Sequence, residues 1–336
     1  MKPLALSVGD PSGVGPELAA AVWRGRAENA VPPFYLLADP ALVAARARLV
    51  GIDLPIRECA PAEAPAAFAN ALPIVPLSRR MGDTPGVSSV ANAAGVIEAI
   101  DRAVDAVRDG EAGAVVTAPI AKKTLYDAGF RFPGHTEFIA ELTSDVPFGG
   151  TRGPVMMLTA KDLRACLVTI HVPIDQLPEL VTGERVARVA RVVHESMKRD
   201  FGIVAPRLAM AALNPHAGEG GALGLQEIEV LRPAAEALRA EGLDITDPLP
   251  ADTLFHEEAR ARYDAVVCLY HDQALIPVKT LDFWGGVNAT LGLPIVRTSP
   301  DHGTGFDIAG KGIARADSFI AAVRLASEMA SARAGR

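Results

Sequence analysis

The residues best equipped for chemistry lie between Tyr263 and Gly312. An apolar run, Asp264-Ala-Val-Val-Cys-Leu-Tyr, leads into His271, and Lys279, Asn288 and Arg297 follow at near-even intervals. They offer a metal ligand, a cation that can give up a proton, an amide and a fixed cation, a set suited to a small, oxygen-rich anion. Two earlier segments repeat the pattern. Arg164-Ala-Cys-Leu-Val-Thr-Ile runs straight into His171, and Arg207-Leu-Ala-Met-Ala-Ala-Leu reaches His216 through Asn-Pro. Each histidine follows an apolar strand at its carboxyl end, where open α/β sheets place their ligands. Three imidazoles with one open position make a catalytic metal site. Their long sequence gaps match no compact zinc motif such as HExxH, so spacing alone leaves a metal centre and three structural histidines equally open.

Two further stretches can bring backbone or dipoles to a ligand. Leu4 to Val8 reads as a first strand, and Gly9-Asp-Pro-Ser-Gly-Val-Gly-Pro-Glu follows it, with Pro16 and Glu17 suited to a helix's first turn. The glycine spacing is not GxGxxG, so the loop reads either as a tight strand-to-helix turn or as a cofactor contact. Further on, Phe132-Pro-Gly-His-Thr-Glu-Phe opens a helix that Thr136 or a neighbour can cap, a good place to hold phosphate or carboxylate.

The elements that position these groups alternate. Tyr35 to Ala38 predicts a second strand with a helix after Pro40, Ser89 to Asp109 a helix ending at Gly110, and Ala114 to Thr117 a short buried strand. Val90, Ala94, Ile97, Ile100, Val104 and Val107 give the first long helix its apolar stripe. Gly183 to Arg199 and Leu225 to Glu241 read as helices, and Ala60 to Ala71 as a loop. With 336 residues, two domains or one large α/β unit are expected. Few aromatics and many Ala, Val, Leu and Ile suit helices laid on a parallel sheet.

A net charge of −7 argues against a general nucleic-acid or anionic-membrane binder, so an anionic ligand needs a local basic pocket. Cys59, Cys166 and Cys268 show no CxxC spacing and read as reduced thiols. No run reaches the length of a membrane span, and the N-terminus lacks the apolar length of a signal peptide, so a cytoplasmic protein is expected.

A metallohydrolase and a metal-dependent dehydrogenase would use such histidines equally well. The segment Asp301-His-Gly-Thr-Gly-Phe-Asp-Ile-Ala-Gly-Lys-Gly favours the second. It resembles the adenosine-binding loop of the isocitrate and isopropylmalate dehydrogenases, which hold their nicotinamide cofactor without the usual fingerprint. Longer strings extend the likeness over nearly the whole chain. Residues 9–17, Thr-Ala-Pro-Ile-Ala-Lys (117–122), Phe-Pro-Gly-His-Thr-Glu-Phe (132–138) and Leu-Asn-Pro-His-Ala-Gly-Glu (213–219) resemble the 4-hydroxythreonine-4-phosphate dehydrogenase family. So do Pro-Ala-Asp-Thr-Leu-Phe (250–255), Tyr-His-Asp-Gln (270–273) and residues 288–304. Ser12, where Ala is usual in the family, is a small departure.

The resemblance implies an α/β, two-lobed isocitrate/isopropylmalate dehydrogenase-like fold, with mostly parallel sheets flanked by helices and the active site in the cleft. One lobe would comprise residues 1–145 and 290–336; the other, 146–289, would carry the metal histidines and the dimer contacts. His171, His216 and His271 would bind one divalent metal (zinc, cobalt or magnesium), and His135, Thr136, Lys279, Asn288 and Arg297 the substrate. Gly303, Asp307 and Gly310 would meet NAD or NADP. Lys279 would also be the catalytic proton acceptor, or else a permanent cation. Asp252 and Asp272 could orient the ligand histidines or be surface carboxylates. The implied reaction is metal-dependent oxidation of 4-phosphooxy-L-threonine and decarboxylation to 3-amino-2-oxopropyl phosphate, in pyridoxine 5'-phosphate biosynthesis. A homodimer would share its active sites between subunits, with no nucleic-acid or membrane partner. Alternatives are a related dehydrogenase for a phosphorylated sugar acid or a dihydrodiol, a metallohydrolase, and a non-enzymatic binding module.

Overall fold

A computed structural model describes residues 2–335. Its strands, in chain order, are β1 Leu4–Ser7, β2 Phe34–Ala38, β3 Ile56–Glu58, β4 Leu72–Pro76, β5 Val115–Thr117, β6 Val155–Ala160, β7 Leu163–Leu167, β8 Arg207–Ala211, β9 Asp244–Leu249, β10 Ala265–Cys268, β11 Val287–Leu291 and β12 Arg297–Pro300. The chain divides into two compact units, residues up to 146 with 294–335, and 147–293. The class is α/β, with mostly parallel strands flanked by helices.

In the first unit the strand order is β3-β4-β2-β1-β5-β12, and every neighbouring pair is parallel. β1 and β2 are buried at every position, as expected of strands covered on both faces. The helix after β1, Gly15–Arg24, starts with proline in its first turn, where a missing N–H costs nothing. The loop before it is fixed by Arg46, whose side chain is fully buried. Its guanidinium donates to the Pro11 carbonyl at 2.7 Å, the Gly13 carbonyl at 2.6 Å, Asp83 at 2.5 Å and Glu17 at 3.3 Å. A buried cation persists only when its donors are matched in this way.

Two expectations are corrected here. The span from Ser89 begins with a 3₁₀ turn, Val90–Asn92, and the α-helix runs Ala93–Arg108. Its buried stripe is Ala93, Val96, Ala99, Ile100, Ala103 and Val104, while Val90 is exposed. Alanines thus take the sheet-facing positions, and the bulkier residues that marked the periodicity partly face out. Ala60 to Ala71 is not a loop throughout, because Pro61–Glu63 is a 3₁₀ turn and Ala64–Phe68 a helix that buries Ala64, Ala67 and Phe68.

On the same Ala93–Arg108 helix, burial and then the carboxylates of Asp105 and Glu98 push Asp101 up to about 6. The folded state therefore holds a proton that the unfolded chain releases, and stability falls as pH rises from about 4 to about 6. Asp101→Asn is expected to raise stability by about 1–2 kcal/mol at neutral pH, after discounting for solvent screening. At pH 4 the gain should vanish; equal melting temperatures for the two proteins at pH 7.5 would contradict this.

In the second unit the order is β11-β6-β7-β10-β8-β9. The β11–β6 and β6–β7 pairs are antiparallel; β7–β10, β10–β8 and β8–β9 are parallel. The long helix Gly183–Phe201 is capped by the Thr182 hydroxyl, which accepts from the Arg185 N–H at 3.3 Å, and ends at left-handed Gly202 (φ 69°). Its residues Val186, Val189, Ala190, Val193 and Met197 are buried. A separate cluster joins Leu158, Leu167, Val266 and Cys268 of the strands to Ala274 and Val278 of the helix His271–Leu281. Cys166 and Cys268 are buried free thiols, and Cys59 is a partly buried one. Among the described residues no helix is long and apolar enough to cross a membrane.

Candidate functional site

In the first unit the chemistry gathers at the helix His135–Leu142. Its N-cap is Gly134, and neither Thr136 nor any neighbouring side chain caps it, contrary to the expectation of a threonine cap. The first-turn N–H groups therefore offer the positive end of the helix to a ligand. Arg297 opens β12, next to β5 in parallel register, and donates from Nη2 to the Thr117 hydroxyl at 2.6 Å. The arginine is 3 % exposed, and burial lowers its guanidinium to about 10, opposed by the nearby Glu137 carboxylate. It is still a cation at neutral pH.

His135 is held neutral. Burial, then the positive charges of Arg297 and Lys122, keep its imidazole well below the ordinary value. Its Nε2 is buried and takes no hydrogen bond among the described residues. Lys122 opens the helix Lys122–Asp127, and its ammonium lies 3.7 Å from where a Gly134 Cβ would stand. Sequence reasoning gave this lysine no role, although it closes the string Thr-Ala-Pro-Ile-Ala-Lys. Two cations, a neutral imidazole and an uncapped helix end are the chemistry of phosphate or carboxylate binding.

The Gly-rich segment after β12 lies against the loop that follows β1. The Val14 N–H donates to the Thr304 carbonyl at 2.9 Å, and a Cβ on Gly13 would come within 2.6 Å of that same oxygen. Gly303 and Asp307 are exposed. Gly310, left-handed at φ 74°, gives its N–H to Glu17 at 2.7 Å, so that amide already has a partner within the protein. Of the three proposed cofactor residues, Gly303 and Asp307 are thus open to a ligand, and Gly310 shapes the turn.

In the second unit β7, β10 and β8 lie side by side and parallel, so their three histidines leave one sheet edge. None follows its strand at once, since β7 ends at Leu167, β8 at Ala211 and β10 at Cys268. Polar bridges tie the intervening residues. The Thr169 hydroxyl donates to the Leu269 carbonyl at 2.6 Å. Gln273, 6 % exposed, accepts from the Leu269 N–H and donates to the Ala212 carbonyl, both at 2.7 Å. These bonds fix the exits of all three strands.

The rings of His171 and His271 stand 5.6 Å apart, tilted by 41°, and line one pocket of about 410 Å³ with Ile170, Pro173, Leu177 and Tyr270. His271 Nδ1 lies 2.7 Å from Asp272 Oδ1, which leaves Nε2 to a ligand and gives Asp272 an orienting role. Asp252 lines a neighbouring pocket instead. His216 does not line that pocket; its side chain is 70 % exposed and its Nδ1 lies 3.6 Å from Glu219. Among the described residues no three His, Cys, Asp or Glu side chains gather to hold a metal. Within one chain two imidazoles are thus placed where they could hold a metal; their chemistry fits such a group, and the described residues bring no third ligand to them. Lys279 is half-buried on the helix His271–Leu281, its Nζ 5.3 Å from the Phe283 ring. Asn288 sits on β11 with a buried Oδ1 that accepts no hydrogen bond among the described residues.

These features define an α/β protein of parallel-rich sheets, with residues equipped to hold a small anion and paired imidazoles equipped to hold a metal. The chain belongs to the family described as pyridoxal phosphate biosynthetic protein PdxA, whose model matches residues 29–326. It is 54 % identical to the 4-hydroxythreonine-4-phosphate dehydrogenase of Caulobacter vibrioides, over 99 % of this chain and 98 % of that one. The enzyme of the same name from Methylorubrum populi is also 54 % identical, over 98 % and 95 %. A crystal structure of the Klebsiella pneumoniae enzyme superposes with a TM-score of 0.85 at 34 % identity, covering 98 % of this chain and all of the other.

Proposed function

We propose that the chain is an NAD(P)-dependent 4-hydroxythreonine-4-phosphate dehydrogenase. It oxidises 4-phosphooxy-L-threonine at its secondary hydroxyl and releases carbon dioxide to give 3-amino-2-oxopropyl phosphate, toward pyridoxine 5'-phosphate. The observation that carries this reading is the anion set of the first unit, where buried cationic Arg297 and neutral His135 stand at an uncapped helix end. In this reading His135, Thr136, Arg297 and Lys122 bind phosphate, Asn288 orients the substrate, and Lys279 takes the proton of the hydroxyl. Gly303 and Asp307 meet the cofactor, with Gly310 setting their turn. The nicotinamide supplies a hydride acceptor, and a divalent metal on the imidazoles supplies Lewis acidity toward the substrate's oxygens. An all-imidazole set favours zinc or cobalt over magnesium.

The protein acts as a homodimer that completes the donor set, with His216 and the His171–His271 pair brought together by two copies. Two observations support this. Among the described residues exposed His216 joins no group of three metal-ligating side chains, and large apolar side chains are at least half exposed on and just past the helix His271–Leu281: Ile276, Phe283 and Trp284.

The test is the appearance of reduced nicotinamide from 4-phosphooxy-L-threonine, NAD or NADP and a divalent metal, with a chelator control. Metal-dependent signal is expected. Silence with both cofactors, in protein shown to hold its metal, would move the substrate to a phosphorylated sugar acid or a dihydrodiol. Lys279→Met separates proton acceptor from fixed cation. It is expected to lower kcat by about 10²–10⁴-fold with a small change in KM. Normal kcat with a raised KM would remove the base role.

A further inference from the structure

His216 stands on backbone that L-residues avoid. His216, Ala217, Gly218, Glu219 and Gly220 have φ of 52°, 52°, 76°, 44° and 67°, five consecutive residues in the left-handed region. A run of this kind persists only where its surroundings impose it, and such strain concentrates at functional sites. Against the turn lies Glu227, a fully buried carboxyl side chain at the head of a single π-helical turn, Glu227–Leu231. Its Oε1 accepts from the N–H groups of Leu213 and Asn214, both at 2.8 Å. Its Oε2 accepts from Asn214 Nδ2 at 2.9 Å, and that same amide donates to Gln226 Oε1 at 2.8 Å. Three N–H donors thus converge on one buried carboxyl side chain, at the two residues between the end of β8 and Pro215, just before the left-handed turn.

The neighbouring glycines fit this clamp closely. A Cβ on Gly218 would stand 2.7 Å from Glu227 Oε2 and 2.9 Å from the Gly224 carbonyl, and one on Gly224 would stand 2.4 Å from Asn214 Nδ2. The turn closes with the Leu223 N–H on the Gly218 carbonyl at 3.1 Å. The carboxylate bonds Leu213 and Asn214 while the exposed imidazole meets Glu219, so it acts on His216 through the backbone.

We propose that Glu227 is a positioning residue, whose buried carboxylate imposes the left-handed turn that presents His216 to the metal. The inference rests on the proposed ligand role of His216. A neutral amide at position 227 cannot accept from all three donors: one of its two termini turns an N–H against Leu213 and Asn214 or against the Asn214 side chain. Asn214→Asp sets a second carboxylate against the first. The double variant Glu227→Gln/Asn214→Asp restores one donor facing one acceptor, and the Gln226 amide can turn to donate.

Two readouts distinguish the clamp from the metal reading. Hydrogen–deuterium exchange at the amides of residues 213–221, in metal-free protein, reports the turn; competition with a zinc chelator reports the site. Each single variant is expected to speed exchange there and weaken zinc binding about 10–100-fold, with the double variant recovering most of both. His216→Ala should lose zinc as strongly with exchange at Leu213 and Asn214 unchanged. Wild-type exchange in both single variants, or faster exchange with unaltered zinc binding while His216→Ala loses zinc, overturns the proposal. Retention of zinc by His216→Ala would instead remove the ligand role of His216. If a single variant fails to fold, the double decides: recovery of folded, zinc-binding protein supports the clamp, and its absence overturns it.

Discussion

Replacing His271 by Ala is expected to strip the protein of tightly held metal and lower turnover on the order of 10³-fold, a loss of about 4 kcal/mol of transition-state stabilisation. His271 stands 5.6 Å from His171, with Nδ1 turned to Asp272 and the other nitrogen left to the pocket. Its side chain is about one-third exposed, so truncation leaves no core cavity, and stability should change by less than about 0.5 kcal/mol. Loss of metal without loss of folding is therefore the expected combination. NAD binding should survive, since the residues proposed to meet the cofactor lie in the other unit. Asp272→Asn should fall between, with metal affinity down about 10-fold, because the amide still holds the ring but no longer raises its basicity. Wild-type metal content in His271→Ala would remove this imidazole from the donor set.

The parts legible in the sequence are those written in local pattern. Continuous apolar runs such as those around Leu6, Leu36 and Val266 announce strands covered on both faces, and a histidine shortly after such a run announces a sheet edge. The α/β class follows from that alternation. In the Ala93–Arg108 helix only part of the expected stripe is buried, Ile100 and Val104, because the small Ala93, Ala99 and Ala103 share the covered face while Val90 and Ala94 are exposed. Thr136 has the composition of a cap, yet Gly134 takes that place in extended backbone (φ −178°) and leaves the helix end open.

What sequence could not show depends on residues far apart in the chain. Arg46 reads as one more arginine on a helix, and only the fold shows its guanidinium buried among Pro11, Gly13, Glu17 and Asp83. Glu227 likewise reads as one glutamate in an acidic stretch, Glu227-Ile-Glu229. Lys122 carried a local signal, since it ends a string shared with the family, but its approach to Gly134 is tertiary. The strand order β7-β10-β8 sets β10, and so the exit to His271, between the other two, and His216 is parted from the pair by the left-handed turn it stands on, neither of which spacing encodes.

Arg297→Met is expected to raise KM for the phosphorylated substrate by about 10²–10³-fold, the worth of a buried charge-assisted pair. Stability should not fall in step. Burial makes the guanidinium costly to hold charged, and its lowered value of about 10 records that cost. In sign, the penalty is present below about pH 10 and is relieved as pH rises through it toward the unfolded value. An apolar side chain of similar length removes the penalty at neutral pH, which offsets the bonds the guanidinium makes, the one to Thr117 among them, so the variant should melt close to the parent. Affinity and stability are thus expected to separate. His135 sharpens the pH dependence, because burial holds its imidazole well below the ordinary value and it changes no charge around neutral pH. Substrate affinity over that range should follow the second ionisation of the phosphate, near 6, and rise as the dianion forms before Arg297. An affinity that instead fell from pH 5 to 7 would mean that His135 binds as a cation, and the neutral-imidazole account of this anion set would be wrong.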